Sequence, residues 1–579
     1  MSFVQRQPAR NGRVYAELVT NRYVKETHSQ KQTRQFLGVI SPDTGELCLS
    51  SKIETPTAEM LRLLKQAGIP FNGLRASRRG RPRKQQSPGD YAYSATDYGE
   101  LSVLLGLCRA AGLDTMLLAF GLVDGTALLY TAIWLACTSE AQYLAAEWLA
   151  TRDYPECLAG FDFTSPGMSR LMERTGHNAA AMHEFHRQWI AARNYPDCVV
   201  YDTTSISSYS AELDLVEWGY NRDHERLPQV NLTMAVDIRD GMPLGYRLLP
   251  GSVPDVKSLV ETARMLMEHG LSAYMNVLDK GFFSRMNIRG MLKEDGLEFV
   301  MGVPITSRQA VSTLERLLPG IASSRNTVLR EGEMLHVAMC EWMQKTDNYG
   351  TRTLYAYLVH SPERAQSQCE ELERKLAALC DIAAGQSFAK AKDAEEWIAE
   401  NAKCLGKYLA VDADAHVAVD HGLLDAAEAR AGLSLYLSSV EMKGERLVEC
   451  VRGRDIVEKM YDIMKNDCGQ RRLHTGSNPV MEGRMFLALL ALIVRRLLAI
   501  RLEAIPRRIR PTVNEALAML RRIKVINYNS GRRSYVEIPR HTRKLLEAIN
   551  VTLPKLGDLP PYLRQHLGEA GSAPGARQV

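Results

Sequence analysis

Hydrophobic and polar residues change their spacing several times along the chain, and each change predicts a different kind of element. Residues 12–40, GRVYAELVTNRYVKETHSQKQTRQFLGVI, alternate as in a β-hairpin, and PTAEMLRLLKQAG has the spacing of a short helix. From about residue 91 to 195 the spacing is helical, with breaks predicted at Gly121, Gly125, Pro155 and Pro166. The sequence therefore predicts a small α+β domain followed by a helical region.

After residue 195 the pattern becomes one of strands. Three segments are rich in β-branched and apolar residues, and the second and third meet at the turn pair Asp240-Gly241: PDCVVYDTTSISS, PQVNLTMAVDIRD and GMPLGYRLLPG. A helix (DVKSLVETARMLMEHG), a strand (AYMNVLDKG), a helix (SRMNIRGMLKEDG) and a strand (EFVMGVP) follow. The predicted order is therefore three strands, a helix, a strand, a helix and a strand. This is the order of a ribonuclease-H-like core in an α/β protein.

Composition is typical of a folded protein with several domains. The chain has 579 residues, of which 45% are apolar, and a net charge of +5 that does not by itself indicate a nucleic-acid partner. The distribution of charge is more informative. One basic cluster spans residues 75–86, and a second runs through arginines and lysines between residues 495 and 533. Each is consistent with either solvated surface or a polyanion contact.

The sequence predicts a protein that begins and stays in the cytoplasm. Residues 1–13 are polar and arginine-rich, unlike a signal peptide, and the apolar stretches around 115–137 and 485–494 predict buried helices rather than membrane spans. Eleven cysteines without a C-x-x-C motif indicate reduced thiols. His183 and His186 lack the spacing of a zinc-binding H-E-x-x-H helix.

Two acidic residues lie at informative places in the predicted sheet. Asp202 lies within the first strand of the core and Asp279 ends the fourth. In α/β sheets, sites form near the carboxyl ends of central strands. Taken alone, each residue is better explained by a structural role, Asp202 at the start of a turn and Asp279 as a strand cap. Together, in this strand order, they predict two carboxylates that share a metal ion.

A third carboxylate lies on a predicted amphipathic helix, GRDIVEKMYDIMK, residues 453–465. On a helical wheel, Arg454, Glu458 and Lys465 fall within roughly 40° of one another, while apolar residues cover the other sides. From this segment alone, the ordinary interpretation is a solvated face with i,i+4 charge pairs.

These segments carry a resemblance to bacterial insertion-sequence transposases of the DDE class. The motifs that match are YDTTS, WGYNRDHERLPQVNLTMAVD to GMPLGYRLLPGSVPDVKSL, and LDKGFFS. One subgroup of the family has a signature of Tyr, two residues, Arg, three residues, Glu, six residues and Lys, and Arg454, Glu458 and Lys465 keep that spacing. Val451 stands at the tyrosine position, and Tyr461 is a candidate to compensate for it. The resemblance covers about residues 196–300 and 433–500.

The resemblance implies catalysis by Asp202, Asp279 and Glu458. It implies that these carboxylates hold two Mg²⁺ ions, for which Mn²⁺ would substitute, and that Arg454 and Lys465 contact DNA phosphates. The implied partners are inverted-repeat DNA at the element's ends and target DNA, bound by a homodimer in a synaptic complex at the nucleoid, without a membrane. Two alternatives stay open: a DNA-binding regulator without catalysis, and a nuclease that cuts without joining.

The predicted domain organisation follows from the changes of pattern and from the resemblance. RRGRPRK, residues 78–84, is similar to an AT-hook. In such a motif Arg79, Arg81 and Lys84 would bind A·T-rich DNA. The predicted segments are residues 1–74 (α+β, hairpin and helix), 75–90 (basic linker), 91–195 (helical, DNA-binding), 196–304 (first part of the core), 305–432 (insertion domain), 433–510 (second part, with the Glu458 helix) and 511–579 (C-terminal region and tail).

Overall fold

The computed structural model describes residues 2–8, 13–24, 29–42, 44–50, 52–53, 55–73, 92–210, 212–253, 255–271, 274–293, 297–330, 332–346 and 350–563. The chain divides into two compact units, residues 1–91 and 92–579.

The first unit is an antiparallel sheet with one helix. Its elements are β1 (Ser2–Pro8), β2 (Val14–Val24), β3 (Ser29–Ile40), β4 (Leu47–Leu49) and α1 (Ala58–Gln66). The predicted hairpin is confirmed as β2 and β3, and the predicted helix as α1, whose first turn is capped by the Thr57 hydroxyl. The α1 residues Met60 and Leu64 are buried in the core of this unit.

The second unit begins with a strand and continues with helices. The first elements are β5 (Ala92–Asp97), α2 (Gly99–Ala110), α3 (Leu113–Met116), α4 (Leu122–Cys137), α5 (Ala145–Ala150), α6 (Ser165–His177) and α7 (Ala179–Ala192). Gly121 and Pro166 lie at helix starts, as predicted. The prediction of a break at Gly125 is wrong, because this glycine lies inside α4, where it lets the helix approach the carbonyl of Leu117.

A large mixed sheet forms the centre of the second unit. Its first segment comprises β6 (Cys198–Ser208), β7 (Gln229–Asp237), β8 (Pro243–Pro250), α8 (Asp255–Glu268), β9 (Tyr274–Leu278), α9 (Arg285–Met291) and β10 (Leu297–Val303). These strands lie in the order β8-β7-β6-β9-β10. The first three are antiparallel neighbours, while β6, β9 and β10 pair in parallel. The α/β prediction is confirmed, and this order fits a ribonuclease-H-like core.

Residues 305–432 extend the same sheet. They form α10 (Arg308–Leu317), β11 (Thr327–Arg330), β12 (Glu333–Thr346), β13 (Gly350–His360), α11 (Pro362–Ala384), α12 (Ala391–Asn401), β14 (Leu409–Val411), β15 (Val417–Val419) and α13 (His421–Glu428). The next strand, β16 (Leu433–Ser438), pairs with β13 on one side and β10 on the other. Strands of the predicted insertion are therefore continuous with the strands of the core.

The last part of the second unit returns to the sheet and then to the helices. It contains α14 (Gly444–Arg452), α15 (Arg454–Asp462), a π-helical turn (Ile463–Asp467), β17 (Arg472–Leu473), α16 (Asn478–Leu502), α17 (Val513–Leu520), β18 (Lys524–Tyr528), β19 (Arg533–Tyr535) and α18 (Arg540–Ala548). β18 pairs with β5, so residues from both ends of this unit share a small sheet.

The two long apolar segments are buried helices, as predicted. Most residues of α4 and the central part of α16 are inaccessible to solvent and pack in the largest hydrophobic cluster. Within the described residues, no single helix has the length and apolar composition to cross a membrane; the pair 99–110 and 113–120 does so only when taken together, across a bend of 76°.

Candidate active site

Asp202 and Asp279 lie on neighbouring parallel strands. Asp202 is part of β6, a strand rich in valine and threonine, and Asp279 directly follows β9. In the pairing of these strands Val200 lies opposite Val277. Asp202 and Asp279 each follow this pair by two residues, so both lie just beyond the point where the pairing of the two strands ends.

Both aspartates belong to the same face of the sheet. Side chains alternate between the two faces of a strand, so Asp202 follows Val200 and Asp279 follows Val277. Val200 and Val277 are buried in the largest hydrophobic cluster, which also contains Val457 of α15. Tyr201 and Leu278, the intervening residues, are buried in a separate cluster. The two carboxylates are therefore on the side of the sheet that α15 covers.

The helix α15 presents Glu458 to this face. It buries Val457, Met460 and Tyr461, while the Glu458 side chain is 58% exposed. The helix starts at Gly453, where the main chain lies so close to Ile238 that an added Cβ would be 2.0 Å from its Cγ1 atom. A close approach of this kind sets the distance between the helix and the sheet.

Arg454 connects two of the three predicted catalytic carboxylates. Its Nη1 atom is 2.6 Å from Oδ1 of Asp279, and its Nη2 atom is 3.6 Å from Oε1 of Glu458, one turn further along the helix. Its side chain is one-third exposed, as is that of Asp279. The guanidinium group thus holds the carboxylates of β9 and α15 together at the surface.

Tyr461 connects α15 to the strand of Asp202. Its hydroxyl donates to the main-chain oxygen of Asp202 at 2.5 Å and accepts from the main-chain nitrogen of Met234 at 3.0 Å. The oxygen of Leu232 lies 3.2 Å away. Tyr461 is buried. Our hypothesis that Tyr461 compensates for Val451 is therefore wrong, because its buried hydroxyl is bonded to main-chain groups and anchors the helix.

Val451 lies just before the boundary between two helices. α14 ends at Arg452, and α15 begins after Gly453. Val451 is half-buried and packs against the largest hydrophobic cluster. At this position an apolar residue is explained by packing.

The connection between β6 and β7 contributes two charged residues that sequence reasoning did not single out. Arg222 places Nη1 3.3 Å from Oδ1 of Asp202, and its main-chain nitrogen donates to the Ser205 hydroxyl at 2.8 Å. Asp223 accepts a hydrogen bond of 2.8 Å from Nζ of Lys465, whose side chain is only 10% exposed. The feature of the sequence that could have indicated Arg222 and Asp223 is the alternating charge of NRDHE, residues 221–225. This stretch lies shortly before the predicted strand PQVNLTMAVDIRD.

A second ion pair binds the connection between β6 and β7 to β17. The Nη2 atom of Arg472 is 2.7 Å from Oε1 of Glu225. Hydrogen bonds from Arg472 and Ser207 lower the pKa of the Glu225 carboxyl. The connection is therefore attached to β6, to the turn that carries Lys465, and to β17.

The carboxylates are bound by arginine rather than gathered around one point. Among the described residues, no three histidine, cysteine, aspartate or glutamate side chains are close enough to hold a metal ion together. The donor set nevertheless has the chemistry of a Mg²⁺ site, since Asp202, Asp279 and Glu458 offer carboxylate oxygens.

The chain matches the model of a known protein family. Residues 195–494, more than half of its length, match the family model described as transposase DDE domain. The chain belongs to this family.

No curated protein sequence matches this transposase. A solved structure described as the cryo-EM structure of the piggyBac transposase synaptic complex with hairpin DNA is similar, with 11% sequence identity, and the match covers 86% of this chain and 89% of that chain. Its TM-score of 0.34 is below the level that indicates a shared fold.

The structure describes the C-terminal basic cluster of this transposase but not the cluster at residues 75–86. Arg79, Arg81 and Lys84 lie outside the described residues. Several members of the C-terminal cluster form ion pairs within the fold, and these are Arg495 with Asp467, Arg496 with Glu503, Arg521 with Glu100, Lys524 with Asp97, and Arg533 with Asp153. That part of the cluster stabilises the unit.

Proposed function

We propose that this transposase binds the terminal inverted repeats of an insertion sequence and catalyses metal-dependent cleavage and strand transfer of DNA. One observation carries the proposal: Asp202 and Asp279 each lie two residues beyond the pair Val200 and Val277 on adjacent parallel strands, and Arg454 joins Asp279 to Glu458. On this proposal the three carboxylates, residues 202, 279 and 458, would act as one site.

Asp202, Asp279 and Glu458 would hold two Mg²⁺ ions, with Mn²⁺ as a substitute. When bound, such ions would stabilise the negative charge that develops on the oxygens of the reacting phosphate and would activate water or a DNA 3′-hydroxyl as nucleophile. The carboxylates fit this role by their oxygen donors and by their placement on one face of the sheet. Asp202 would serve both ions, and Asp279 and Glu458 one each.

Two cations of the site would contact DNA phosphates. Arg454 is one-third exposed next to Glu458, and a cation beside metal-binding carboxylates suits a polyanionic substrate. Lys465 is mostly buried against Asp223, so it would reach a phosphate only if that ion pair opened. In the absence of DNA these cations neutralise the acidic residues around them.

The finer assignment follows the signature spacing of Arg454, Glu458 and Lys465. We infer a bacterial insertion-sequence enzyme of that subgroup, acting in the cytoplasm at the nucleoid as a homodimer that brings element ends and target DNA together. The AT-hook-like residues Arg79, Arg81 and Lys84 would bind A·T-rich minor groove.

The direct test uses the purified full chain and DNA that carries the sequences flanking its gene, with a supercoiled plasmid as target. With Mg²⁺ or Mn²⁺ we expect cuts at the element ends and joining of those ends to the plasmid. Addition of a chelator should leave end binding intact and stop both reactions.

Two outcomes would contradict the proposal. Cleavage without any joined product would indicate a nuclease. Binding to the ends without any cleavage, in either metal, would indicate a regulator that has lost catalysis.

A further inference from the structure

Two thiols from distant parts of the chain meet between β6 and α14. Cys198 is the first residue of β6 and Cys450 lies in α14, and their Sγ atoms are 3.7 Å apart. Both side chains are inaccessible to solvent. We call them the thiol pair. All eleven cysteines lie within the described residues, and no other two of them hydrogen-bond through their sulfurs.

An ion-pair network connects the chain on both sides of the thiol pair. Asp197 directly precedes Cys198, and Glu449 directly precedes Cys450. Arg446 joins the two acids: its Nη2 atom is 2.9 Å from Oδ2 of Asp197, and its Nη1 atom is 3.0 Å from Oε2 of Glu449. One guanidinium group therefore links the strand to the helix right beside the two sulfurs.

The packing of Ile238 supports the same contact. Its main-chain nitrogen donates to the oxygen of Cys198 at 3.3 Å. Its side chain lies against Gly453, the residue that follows α14. Because Ile238 is buried and contacts both elements, it keeps β6 and the end of α14 at a fixed separation. The two sulfurs are therefore in contact as a consequence of the fold.

Electrostatics distinguish the thiol pair from other buried thiols. The Cys198 S–H donates to the Cys450 sulfur, and this hydrogen bond, with the nearby Arg446 guanidinium, lowers the pKa of Cys450 against the opposing effect of burial. The same hydrogen bond raises the pKa of Cys198, as burial also does. By contrast, burial raises the pKa of Cys108 and that of Cys468 to about 12. Cys450 is therefore the thiol of the pair that is suited to react as a thiolate.

We propose that Cys198 and Cys450 form a site of reversible covalent oxidation, at which a peroxide converts the two thiols into one disulfide. The reaction needs neither DNA nor a metal ion, so it goes beyond the proposed function. Arg446 is partly exposed and lies one turn before Cys450 on α14. Hydrogen peroxide, which is little larger than water, would reach the sulfurs when the helix opens locally at this turn.

The oxidation takes two steps. The Cys450 thiolate attacks one oxygen of hydrogen peroxide, an S–O bond forms as the O–O bond breaks, and the hydroxide that leaves takes up a proton to become water. The Cys198 sulfur then attacks the sulfur of the sulfenic acid, an S–S bond forms as the S–O bond breaks, and the hydroxyl leaves with the Cys198 proton as a second water. The two thiols lose two electrons, which reduce one peroxide to two waters. A dithiol reductant restores both thiols by exchange.

The disulfide would tie together two elements that carry the candidate active site. Cys198 is four residues before Asp202 on β6, and Cys450 lies in the helix that leads into α15 and Glu458. The bond would join positions that are 252 residues apart in the sequence. Because such a cross-link restricts the unfolded chain far more than the folded one, the oxidised protein should melt at a higher temperature.

The test treats the folded full chain with one equivalent of hydrogen peroxide, without DNA or metal ions, and then alkylates the remaining thiols in denaturant. Proteolysis without reductant should release one fragment that contains both Cys198 and Cys450 and is lighter by two hydrogen atoms than its separate parts. Dithiothreitol should separate this fragment into two. Oxidation should raise the melting temperature of the chain by a few degrees.

Cys108→Ala is the matched control. Cys108 is as fully buried as the thiol pair, but no other cysteine sulfur among the described residues hydrogen-bonds to it. This variant should still give the cross-linked fragment and the rise in melting temperature on oxidation. Cys198→Ala and Cys450→Ala should each lose both. The fragment from the wild-type chain decides the question even if an alanine variant is less stable.

The outcomes are independent of the proposed function, since none of the measurements uses DNA. A fragment joined through Cys198 and Cys450, with the higher melting temperature, supports the oxidation site even in a chain that cuts no DNA. Absence of this fragment, or pairing of either residue with a different cysteine, overturns it even if element ends are cut and joined. A correct cross-link without a rise in melting temperature would show that the bond does not belong to the folded chain, and also overturns it.

Discussion

The hydroxyl of Tyr461 lies 2.5 Å from the main-chain oxygen of Asp202. The same hydroxyl accepts a hydrogen bond from the main-chain nitrogen of Met234 on the neighbouring strand. One buried side chain of α15 therefore meets two strands of the sheet directly beneath the aspartate. The position of Glu458, three residues earlier on the helix, depends on this attachment.

Tyr461→Phe should lower both stability and activity. The substitution leaves the buried main-chain groups of Asp202 and Met234 without this partner, which costs about 1 to 3 kcal/mol. It also removes the polar attachment that fixes α15, so DNA cleavage should fall by more than the loss of folded protein accounts for. Thermal unfolding and a cleavage assay on the folded fraction measure the two effects.

Tyr357→Phe is the control for this experiment. The Tyr357 hydroxyl bridges the main-chain oxygen and nitrogen of Met442, at 2.9 and 2.7 Å, on the same sheet but away from the aspartates. It should lose similar stability and keep its cleavage activity. If both variants cleave equally well, Tyr461 supports the fold alone.

Gly453→Ala should displace α15. The new Cβ would fall 2.0 Å from Cγ1 of Ile238, and such overpacking costs about 1 to 3 kcal/mol. Melting temperature and cleavage should both decrease. Adding Ile238→Ala makes room for the Cβ, so the double variant should cleave better than Gly453→Ala alone. Strictly additive losses would show that this contact does not position the helix.

Local patterns were sufficient to predict much of the central sheet. The β-branched segments around residues 198–208 and 229–237 became β6 and β7, and the turn at Asp240-Gly241 was correct. Long-range pairing was not visible in the sequence. Ala92–Asp97 is a strand only because β18, more than 400 residues later, supplies its partner.

The candidate site was predicted only in part for a similar reason. An acidic residue within the first strand of the core indicated Asp202, one at the end of the fourth strand indicated Asp279, and helical spacing indicated Glu458. The close approach of Gly453 to Ile238 was missed, because Ile238 is distant in sequence and no local pattern shows the contact. The roles of Arg222 and Asp223 were missed as well, since their partners, Asp202 and Lys465, are distant in sequence.

The buried histidines should make the fold sensitive to acid. Burial lowers the pKa of His186 to about 4 and that of His269 to about 3, and their rings stack at 4.8 Å, with His183 also against His269. The unfolded chain binds protons near pH 6.5, whereas the folded chain does not until about pH 4. Stability is therefore fully present above pH 6.5 and falls as the pH decreases, by roughly 3 kcal/mol from His186 alone.

His186→Phe should flatten this decline, because a neutral ring replaces the imidazole that must stay unprotonated. The melting temperature measured between pH 7 and pH 4.5 tests it. His177→Ala removes an exposed imidazole at the end of α6 and should retain the wild-type slope. Equal slopes for His186→Phe and wild type would contradict the assignment.

Arg454→Ala should weaken DNA binding in a salt-dependent manner. If Arg454 contacts one phosphate, its loss reduces the slope of log affinity against log salt by about 0.9. Lys459→Ala is the matched control, since Lys459 is exposed on the same helix about 140° away. The control should keep the wild-type slope. An unchanged slope for Arg454→Ala would restrict Arg454 to holding Asp279 and Glu458.

Cleavage of element-end DNA by Glu458→Gln is the most direct test of the proposed catalytic site. Glutamine keeps the size of the side chain and removes the charge that would hold Mg²⁺, so the account predicts wild-type binding of the ends and no cleavage or joining, with the same result for Asp202→Asn and Asp279→Asn. Asp455→Asn, an exposed acid on the same helix, should cleave normally. Cleavage at the wild-type rate by Glu458→Gln would contradict the account.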